Sequence, residues 1–207
     1  MLCGVGDDAD GSADPAQLAV IDSATLAVKA RISAAGAHIE GFDLDAGSST
    51  DVMASTPDNG DVVRIDVAAG KIVASFALPG EATPLAWDSA AEIVMAATRK
   101  PPALVVLDVS AAGKGRVVYT HEVADDADDL HWDAAAGMVY VSGGGNKTSA
   151  GAIACFFRNA STGDFAFLGS VGPAGKNSEY SADKRTIWTT VPATADADAY
   201  IQTFLTH

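Results

Sequence analysis

The segment Val62-Val63-Arg64-Ile65-Asp66 indicates the fold, because similar segments recur along the chain at a nearly constant spacing. The copies read Leu18-Ala-Val-Ile-Asp22 and Leu104-Val-Val-Leu-Asp108, so that the closing aspartates are 44 and 42 residues apart. Short runs rich in β-branched residues and bounded by turn residues predict strands. A repeat period of roughly 40 to 45 residues is typical of β-propeller blades. The repeat therefore predicts a propeller.

Each repeat unit contains four short apolar runs, which predict a blade of four antiparallel strands. The first run ends in an aspartate, at positions 45, 88, 133 and 183, and the second is a run such as Val94-Met-Ala-Ala-Thr98. No window of helical length carries an apolar stripe of period 3.6, which excludes βαβ folds. A β-sandwich also uses many short strands, but it does not require similar segments to recur at one period.

The repeat predicts a single all-β propeller domain over residues 1–207 with about five blade units, three complete and two partial. The units span about 1–37 (partial), 38–81, 82–125, 126–175 and 176–207 (partial). A four-stranded meander has two apolar faces that it cannot cover alone. Radial stacking of such sheets buries both faces.

Composition and charge exclude several classes of function. The chain has 207 residues, of which 48% are hydrophobic, enough for a packed core, and its formal net charge is −14. Such a surface repels phosphate backbones and anionic headgroups, so we expect no nucleic-acid partner and no membrane insertion. The two cysteines, Cys3 and Cys155, form no CxxC or Cys/His cluster, which argues against structural zinc. Residues 1–14 lack the basic leader and apolar core of a signal peptide.

The repeat resembles the YVTN-type β-propeller family of bacterial proteins. The family's strand motif is present in the degenerate form Tyr140-Val141-Ser142-Gly143, and its strand-and-turn pattern as Arg64-Ile65-Asp66 with Gly70-Lys71. His38-Ile39-Glu40-Gly41-Phe42 and Asp126-Ala127-Asp128-Asp129-Leu130 resemble one branch of the family. The resemblance implies a bacterial protein, periplasmic or secreted, and part of a propeller of about seven blades whose missing portion lies before residue 1. It implies no particular reaction, because a shared fold does not carry a shared active site.

Polar side chains are expected on the propeller face where the first strand of each blade begins. Registering the units on the aspartate that closes this strand brings six candidate metal ligands to that face: His38, Glu40, Asp126, Asp128, Asp129 and Glu179. Carboxylates suit Ca²⁺ or Mg²⁺, and participation of His38 favours Mn²⁺ or Zn²⁺. The alternative interpretation is that the aspartates of residues 125–129 only end strands and cap turns. No organic cofactor is expected.

The loops between the second and third strands bring basic and amide side chains to the same face. Arg99, Lys100 and Asn146 are candidate ligand-binding residues, with the two basic residues placed to hold an anionic group. The alternative is that Arg99 and Lys100 pair internally with nearby carboxylates. His131 alternates with apolar neighbours in a predicted strand, which indicates a packed or hydrogen-bonded histidine.

Two classes of function follow from these residues. The first is a binding propeller with no specific reaction, which holds a small ligand, a metal ion or a protein partner at this face. The second is a metal-dependent hydrolase of esters, lactones or phosphoesters that uses the acidic residues and His38. The chain contains no GxSxG elbow, HExxH motif, phosphate loop or Cys/His nucleophile pair. The sequence therefore leaves open whether the protein is an enzyme.

Partial blades at both ends are expected to expose sheet edges and apolar blade faces, and such surfaces recruit further strands. The expected solution is a homodimer with residues 2–6 and 200–205 in or near the contact. Closure of the chain into a small five-bladed ring is the alternative.

Overall fold

The computed structural model describes residues 2–5, 17–33, 38–44, 50–146, 150–194 and 197–206. These residues form 18 strands and a short 3₁₀ turn, Pro57–Asn59, and they include no α-helix. The all-β class predicted from the repeat is confirmed. Within this part of the chain no helix is long and apolar enough to cross a membrane. Gly6, at the end of the expected dimer contact 2–6, and Asp45, one of the closing aspartates, lie outside the described residues.

The strands pair into five sheets, and each sheet is a meander of consecutive strands. The first sheet has three strands, β1 (Leu2–Val5), β2 (Gln17–Ile21) and β3 (Val28–Ser33). The second has four strands, β4 (Phe42–Leu44), β5 (Asp51–Thr56), β6 (Asp61–Asp66) and β7 (Lys71–Ala77). The third also has four, β8 (Ala82–Asp88), β9 (Ile93–Arg99), β10 (Pro102–Asp108) and β11 (Arg116–Glu122).

The last two sheets follow the same order. The fourth sheet contains β12 (Ala127–Asp133), β13 (Met138–Gly145), β14 (Ala150–Arg158) and β15 (Phe165–Val171). The fifth contains β16 (Ser178–Ser181), β17 (Thr186–Val191) and β18 (Tyr200–Leu205). Three four-stranded meanders between two three-stranded sheets match the predicted three complete and two partial blades. The β-propeller fold class is confirmed.

The aspartate that closes a repeat strand shapes the turn that follows it. Asp66 Oδ1 accepts a hydrogen bond from the backbone N–H of Ala69 at 2.8 Å. Asp108 Oδ1 accepts one from the backbone N–H of Ser110 at 3.1 Å. A carboxylate that binds a backbone N–H two or three residues further on holds the chain in a turn. The recurring aspartate of the sequence is therefore explained by turn geometry.

The chain divides into two compact units. Unit 1 comprises Met1–Val94 and Leu107–Arg116, and unit 2 comprises Met95–Val106 and Val117–His207. The core of unit 1 contains the fully buried aliphatic side chains of Leu18, Val52 and Ile65. The core of unit 2 includes a cluster of buried side chains formed by Tyr140, Ile153, Ala174 and Ile187.

Unit 1 contains a close backbone approach between β8 and the residue that precedes β4. A Cβ atom at Gly41 would lie 2.4 Å from the carbonyl oxygen of Thr83. The Ser55 hydroxyl donates to the same Thr83 oxygen at 2.7 Å and accepts the backbone N–H of Gly41 at 2.8 Å. Glycine at position 41 therefore lets the two segments meet, and Ser55 joins them.

Candidate functional site

Four charged side chains of unit 2 meet near the start of β12, and we refer to Arg99, Asp126, Asp128 and Lys176 as the ion-pair cluster. Lys176 Nζ lies 2.9 Å from Asp128 Oδ2, and the Arg99 guanidinium forms a close ion pair with Asp128 Oδ1. Asp126 is the more distant partner, 3.7 Å from Arg99 Nε and 3.9 Å from Lys176 Nζ. Two cations therefore share one closely bound carboxylate and one loosely bound carboxylate.

The backbone at the start of β12 explains how adjacent aspartates reach different partners. The pairing of β12 with β13 shifts register between Ala127 and Asp129, a β-bulge that turns the side chain of the extra residue away from the regular alternation. Asp126 has a φ of 56°, a left-handed conformation that aspartate tolerates better than most residues. Arg99 is the last residue of β9, and Lys176 lies two residues before β16.

The contacts within the cluster stabilise the charged forms of Asp128 and Lys176. Burial raises the pKa of the Asp128 carboxyl, but hydrogen bonds from Lys176 and Arg99 outweigh burial and lower it below its usual range. The hydrogen bond to Asp128 raises the pKa of Lys176. The Asp128 side chain is 16% exposed, whereas that of Asp126 is 46% exposed. Solvent and solutes therefore reach the cluster at Asp126 and at Lys176, whose side chain is 45% exposed.

A hydrogen-bonded array lies beside the cluster in unit 2 and connects β12, β13 and β16. His131 Nε2 lies 2.9 Å from the Ser178 hydroxyl, which accepts a hydrogen bond from the Ser142 hydroxyl at 2.7 Å. Asp129 Oδ2 accepts the backbone N–H of Ser178 at 2.6 Å. Burial lowers the pKa of His131, although the charges of Asp129 and Glu179 oppose that shift. His131 is therefore a half-buried, hydrogen-bonded histidine, one of the two roles expected from its alternation with apolar neighbours.

The two units each hold part of the predicted metal set. His38 and Glu40 belong to unit 1, where His38 Nε2 lies 4.0 Å from Glu40 Oε1. Asp126, Asp128, Asp129 and Glu179 belong to unit 2. Among the residues that the structure describes, no three His, Cys, Asp or Glu side chains are arranged to hold a metal ion. A divalent cation bound by these six residues stays a prediction.

The predicted ligand-binding residues are only partly brought together. Arg99 lies in the ion-pair cluster, where it pairs with carboxylates as the second interpretation of the sequence expected. Asn146 donates from its side-chain amide to the carboxylate of Asp125, and Lys100 is exposed at the end of β9. Lys176 and Ser178 were not among the predicted site residues, and the partners that they contact lie about 50 residues away in the sequence.

No family model matches the chain, and no curated protein matches it. Its structure is similar to that of a candidate 6-phosphogluconolactonase from Bacteroides uniformis, with a TM-score of 0.65 and 13% identity over 92% of this chain and 65% of that one. A hydrazine synthase from Kuenenia stuttgartiensis gives a TM-score of 0.69 with 10% identity, over 90% of this chain and 55% of that one. A functionally unknown protein from Desulfotomaculum acetoxidans gives a TM-score of 0.63 with 12% identity, over 92% of this chain and 63% of that one.

These similarities concern the fold alone, because the identities are between 10% and 13%. The chain spans 55% to 65% of the length of these solved structures. Proteins with different names share the fold, so similarity of fold does not transfer a reaction. The coarser part of the sequence resemblance, a β-propeller, is confirmed.

Proposed function

We propose that the chain is a binding propeller that holds a small anionic ligand at the ion-pair cluster. One observation carries the proposal: Arg99 and Lys176 both bind Asp128 closely, whereas the carboxylate of Asp126 lies at 3.7 Å and 3.9 Å from them. Those distances exceed the range of a good hydrogen bond. A carboxylate or phosphate group of a ligand can therefore take the place of Asp126.

The roles of the two aspartates differ in this proposal. Asp128 is the less exposed of the two, and its contacts with both cations fix the positions of the guanidinium and ammonium groups. Asp126 is nearly half exposed and neutralises the cluster while no ligand is bound. Arginine offers a planar fork of donors to an anion, and lysine adds a compact charge. The ligand group best suited to this pair is a carboxylate or a phosphate.

A thermal-shift panel tests the proposal with 6-phosphogluconate, gluconate, inorganic phosphate and neutral glucose as probes. We expect the anionic probes to raise the melting temperature, 6-phosphogluconate most of all, because a bound ligand stabilises the folded state. Neutral glucose should leave the melting temperature unchanged. Arg99→Gln removes a charged hydrogen bond and weakens anion binding by about ten- to a hundredfold. Arg116→Gln is the matched control, because Arg116 is 71% exposed and pairs with Asp108 outside the cluster. Equal shifts with glucose, or equal losses in both variants, would contradict the proposal.

A metal-dependent hydrolase is the second candidate function. Two of the similar structures are candidate 6-phosphogluconolactonases, the second from Bacteroides fragilis with a TM-score of 0.60 and 11% identity. In this chain the metal would be held by residues of the predicted set, and a bound divalent ion would supply an activated water. Metal analysis and a panel of ester, lactone and phosphoester substrates, with and without chelator, test this candidate. Loss of turnover in His38→Ala or Asp128→Asn would support this candidate. The absence of a bound metal together with the absence of any turnover that chelator abolishes would contradict it.

Three narrower proposals rest on the sequence. The chain belongs to the YVTN repeat family, comes from a bacterial protein that is periplasmic or secreted, and forms a homodimer through its terminal sheets. Tyr200 and Ile201 of β18 are exposed by 44% and 70%, which leaves an apolar surface for such a contact. Light scattering tests the dimer directly, because a mass near 21 kDa at micromolar concentration would contradict it.

A further inference from the structure

A second cavity lies in unit 2, lined by residues other than those of the ion-pair cluster. Its volume is about 210 Å³, and it lies between β13, β14 and β15 on one side and β17 and β18 on the other. The apolar part of its lining consists of Met138, Cys155, Val171, Ile187, Phe204 and Leu205. Ile187 is fully buried, whereas Val171 and Leu205 are 40% and 72% exposed. The cavity is therefore closed at its inner end and open at the side of Val171 and Leu205.

The cavity has hydroxyl groups at one place in an otherwise apolar wall. Tyr140 and Thr206 both line it, and Thr206 lies close enough to Tyr140 and Tyr180 to act on the pKa of both phenols. The Tyr180 hydroxyl donates to the carboxylate of Asp133. Burial, together with that hydrogen bond, raises the pKa of Tyr180 to about 12, and burial raises the pKa of Tyr140. The tyrosines stay protonated near neutral pH, so the cavity offers neutral hydroxyls rather than charges.

The lining favours an aromatic ligand over an aliphatic one. Met138 and Cys155 present sulfur atoms, which make favourable contacts with aromatic rings, and the Phe204 ring can stack against or meet the edge of another ring. An apolar cavity of roughly 150 Å³ is large enough to take benzene, so this cavity accommodates a single ring with a small substituent. Burial raises the pKa of the Cys155 thiol, which keeps it neutral as well. A charged ligand would lose hydration here without gaining a counter-ion.

We propose that this cavity is a binding site for a neutral, single-ring aromatic molecule that carries a hydroxyl group, with the ring among the apolar side chains and the hydroxyl at Thr206. A hydroxyl can both donate and accept, which suits a cavity end formed by other hydroxyls. This site is independent of the proposed anion site, because none of its lining residues belongs to the ion-pair cluster.

Phenol and toluene are the probes for this proposal, since they have nearly the same shape and differ in the hydroxyl. We expect saturable millimolar binding of phenol, weaker binding of toluene, and a rise in melting temperature with each. Thr206→Val keeps the side-chain shape and removes the hydroxyl. It should weaken phenol binding by about two- to tenfold and leave toluene binding unchanged.

A chemical readout checks the location of the bound ring. In a Cys3→Ser background Cys155 is the remaining thiol. Bound phenol should slow alkylation of Cys155 in proportion to occupancy. Val171→Trp fills the open side of the cavity and should abolish binding of both probes. Leu168→Trp is its matched control, because Leu168 lies on the same strand, is 59% exposed and does not line the cavity.

The experiments with phenol and toluene give different results if the site exists and if it does not. Binding of phenol that is lost in Val171→Trp, retained in Leu168→Trp and weakened in Thr206→Val supports the site. The proposal is overturned if neither probe binds saturably to the unmodified protein, or if phenol binds without protecting Cys155. Equal weakening of phenol and toluene in Thr206→Val would overturn the role of the hydroxyl. We expect none of these changes to affect binding of 6-phosphogluconate, because the substituted residues lie outside the ion-pair cluster, so failure here and failure of the proposed anion site are distinguishable.

Discussion

Asp43 and Trp87 are 44 residues apart in the sequence and are joined by a hydrogen bond, in which the Trp87 backbone N–H donates to Asp43 Oδ2 at 2.9 Å. The bond connects β4 to β8, the first strands of two successive sheets in unit 1. Unit 2 contains a bond of the same kind between β12 and β16, from the Ser178 N–H to Asp129 Oδ2. In both units a carboxylate in the first strand of one sheet therefore binds the first strand of the next sheet.

Removal of the Asp43 carboxylate should destabilise unit 1. A hydrogen bond to a charged group contributes about 1.5 to 3 kcal/mol, and Asp43→Ala leaves the Trp87 N–H without this partner, so we expect a loss in that range. The measurement is the free energy of unfolding in urea. Asp58→Ala is the control, because Asp58 is exposed in the 3₁₀ turn and should change stability by less than about 0.5 kcal/mol. Equal effects of the two variants would contradict a stabilising role for Asp43.

A methyl group at position 41 should also destabilise unit 1. The Cβ of Gly41→Ala would lie 2.4 Å from the Thr83 carbonyl oxygen, so β8 must move or the substitution strains the backbone. Overpacking of this kind typically costs about 1 to 3 kcal/mol. A Cβ at Gly163 would meet no atom within 4 Å, although φ is +78° there, and Gly163→Ala should cost only about 1 kcal/mol. Thermal unfolding measures both losses of stability. A lower melting temperature for Gly163→Ala than for Gly41→Ala would contradict the close approach at Gly41.

The protein should become less stable as the pH decreases below about 6.5, and part of this loss should depend on His131. Burial holds the folded-state pKa of His131 below its ordinary value of 6.5. The unfolded chain therefore takes up a proton first as the pH falls, which favours unfolding. The contribution is complete above about pH 6.5 and is lost as the pH falls from there through the folded-state pKa.

Urea unfolding at several pH values between about 8 and about 5 measures this effect, because an ordinary histidine titrates within that range. We expect a decline in the free energy of unfolding that is smaller in His131→Gln, since glutamine cannot be protonated. Asp129 and Glu179 face the imidazole and reduce the size of the decline. Identical pH profiles for the two proteins would exclude His131 as the cause.

The sequence predicts the strands because the information is local. An apolar alternation, a closing aspartate and a turn are all contained within a few residues, and Asp66 and Asp108 make the turn contacts that this pattern implies. The period then predicts the blade, since only a repeated meander gives the same pattern every 40 to 45 residues or so.

The site is predicted less well, because it depends on contacts between blades. The pairing of Arg99 with carboxylates was one of two interpretations, and nothing in the sequence chose between them. Lys176 reaches Asp128 across 48 positions, and the β-bulge at Asp128 decides which of the adjacent aspartates points toward it. A one-residue change of register moves a side chain to the other face of a sheet, so such contacts do not follow from the repeat alone.

Calorimetric titration of 6-phosphogluconate into the unmodified protein and into Asp126→Asn tests whether a ligand anion displaces Asp126 from Arg99 and Lys176. If a ligand anion takes the place of Asp126, removal of that carboxylate removes a competitor about 4 Å from the cations. Two unit charges at that distance interact by about 1 kcal/mol in water, so Asp126→Asn should tighten binding by roughly fivefold. Weaker binding in Asp126→Asn, or no binding to either protein, would show that the ion-pair cluster is not an anion site.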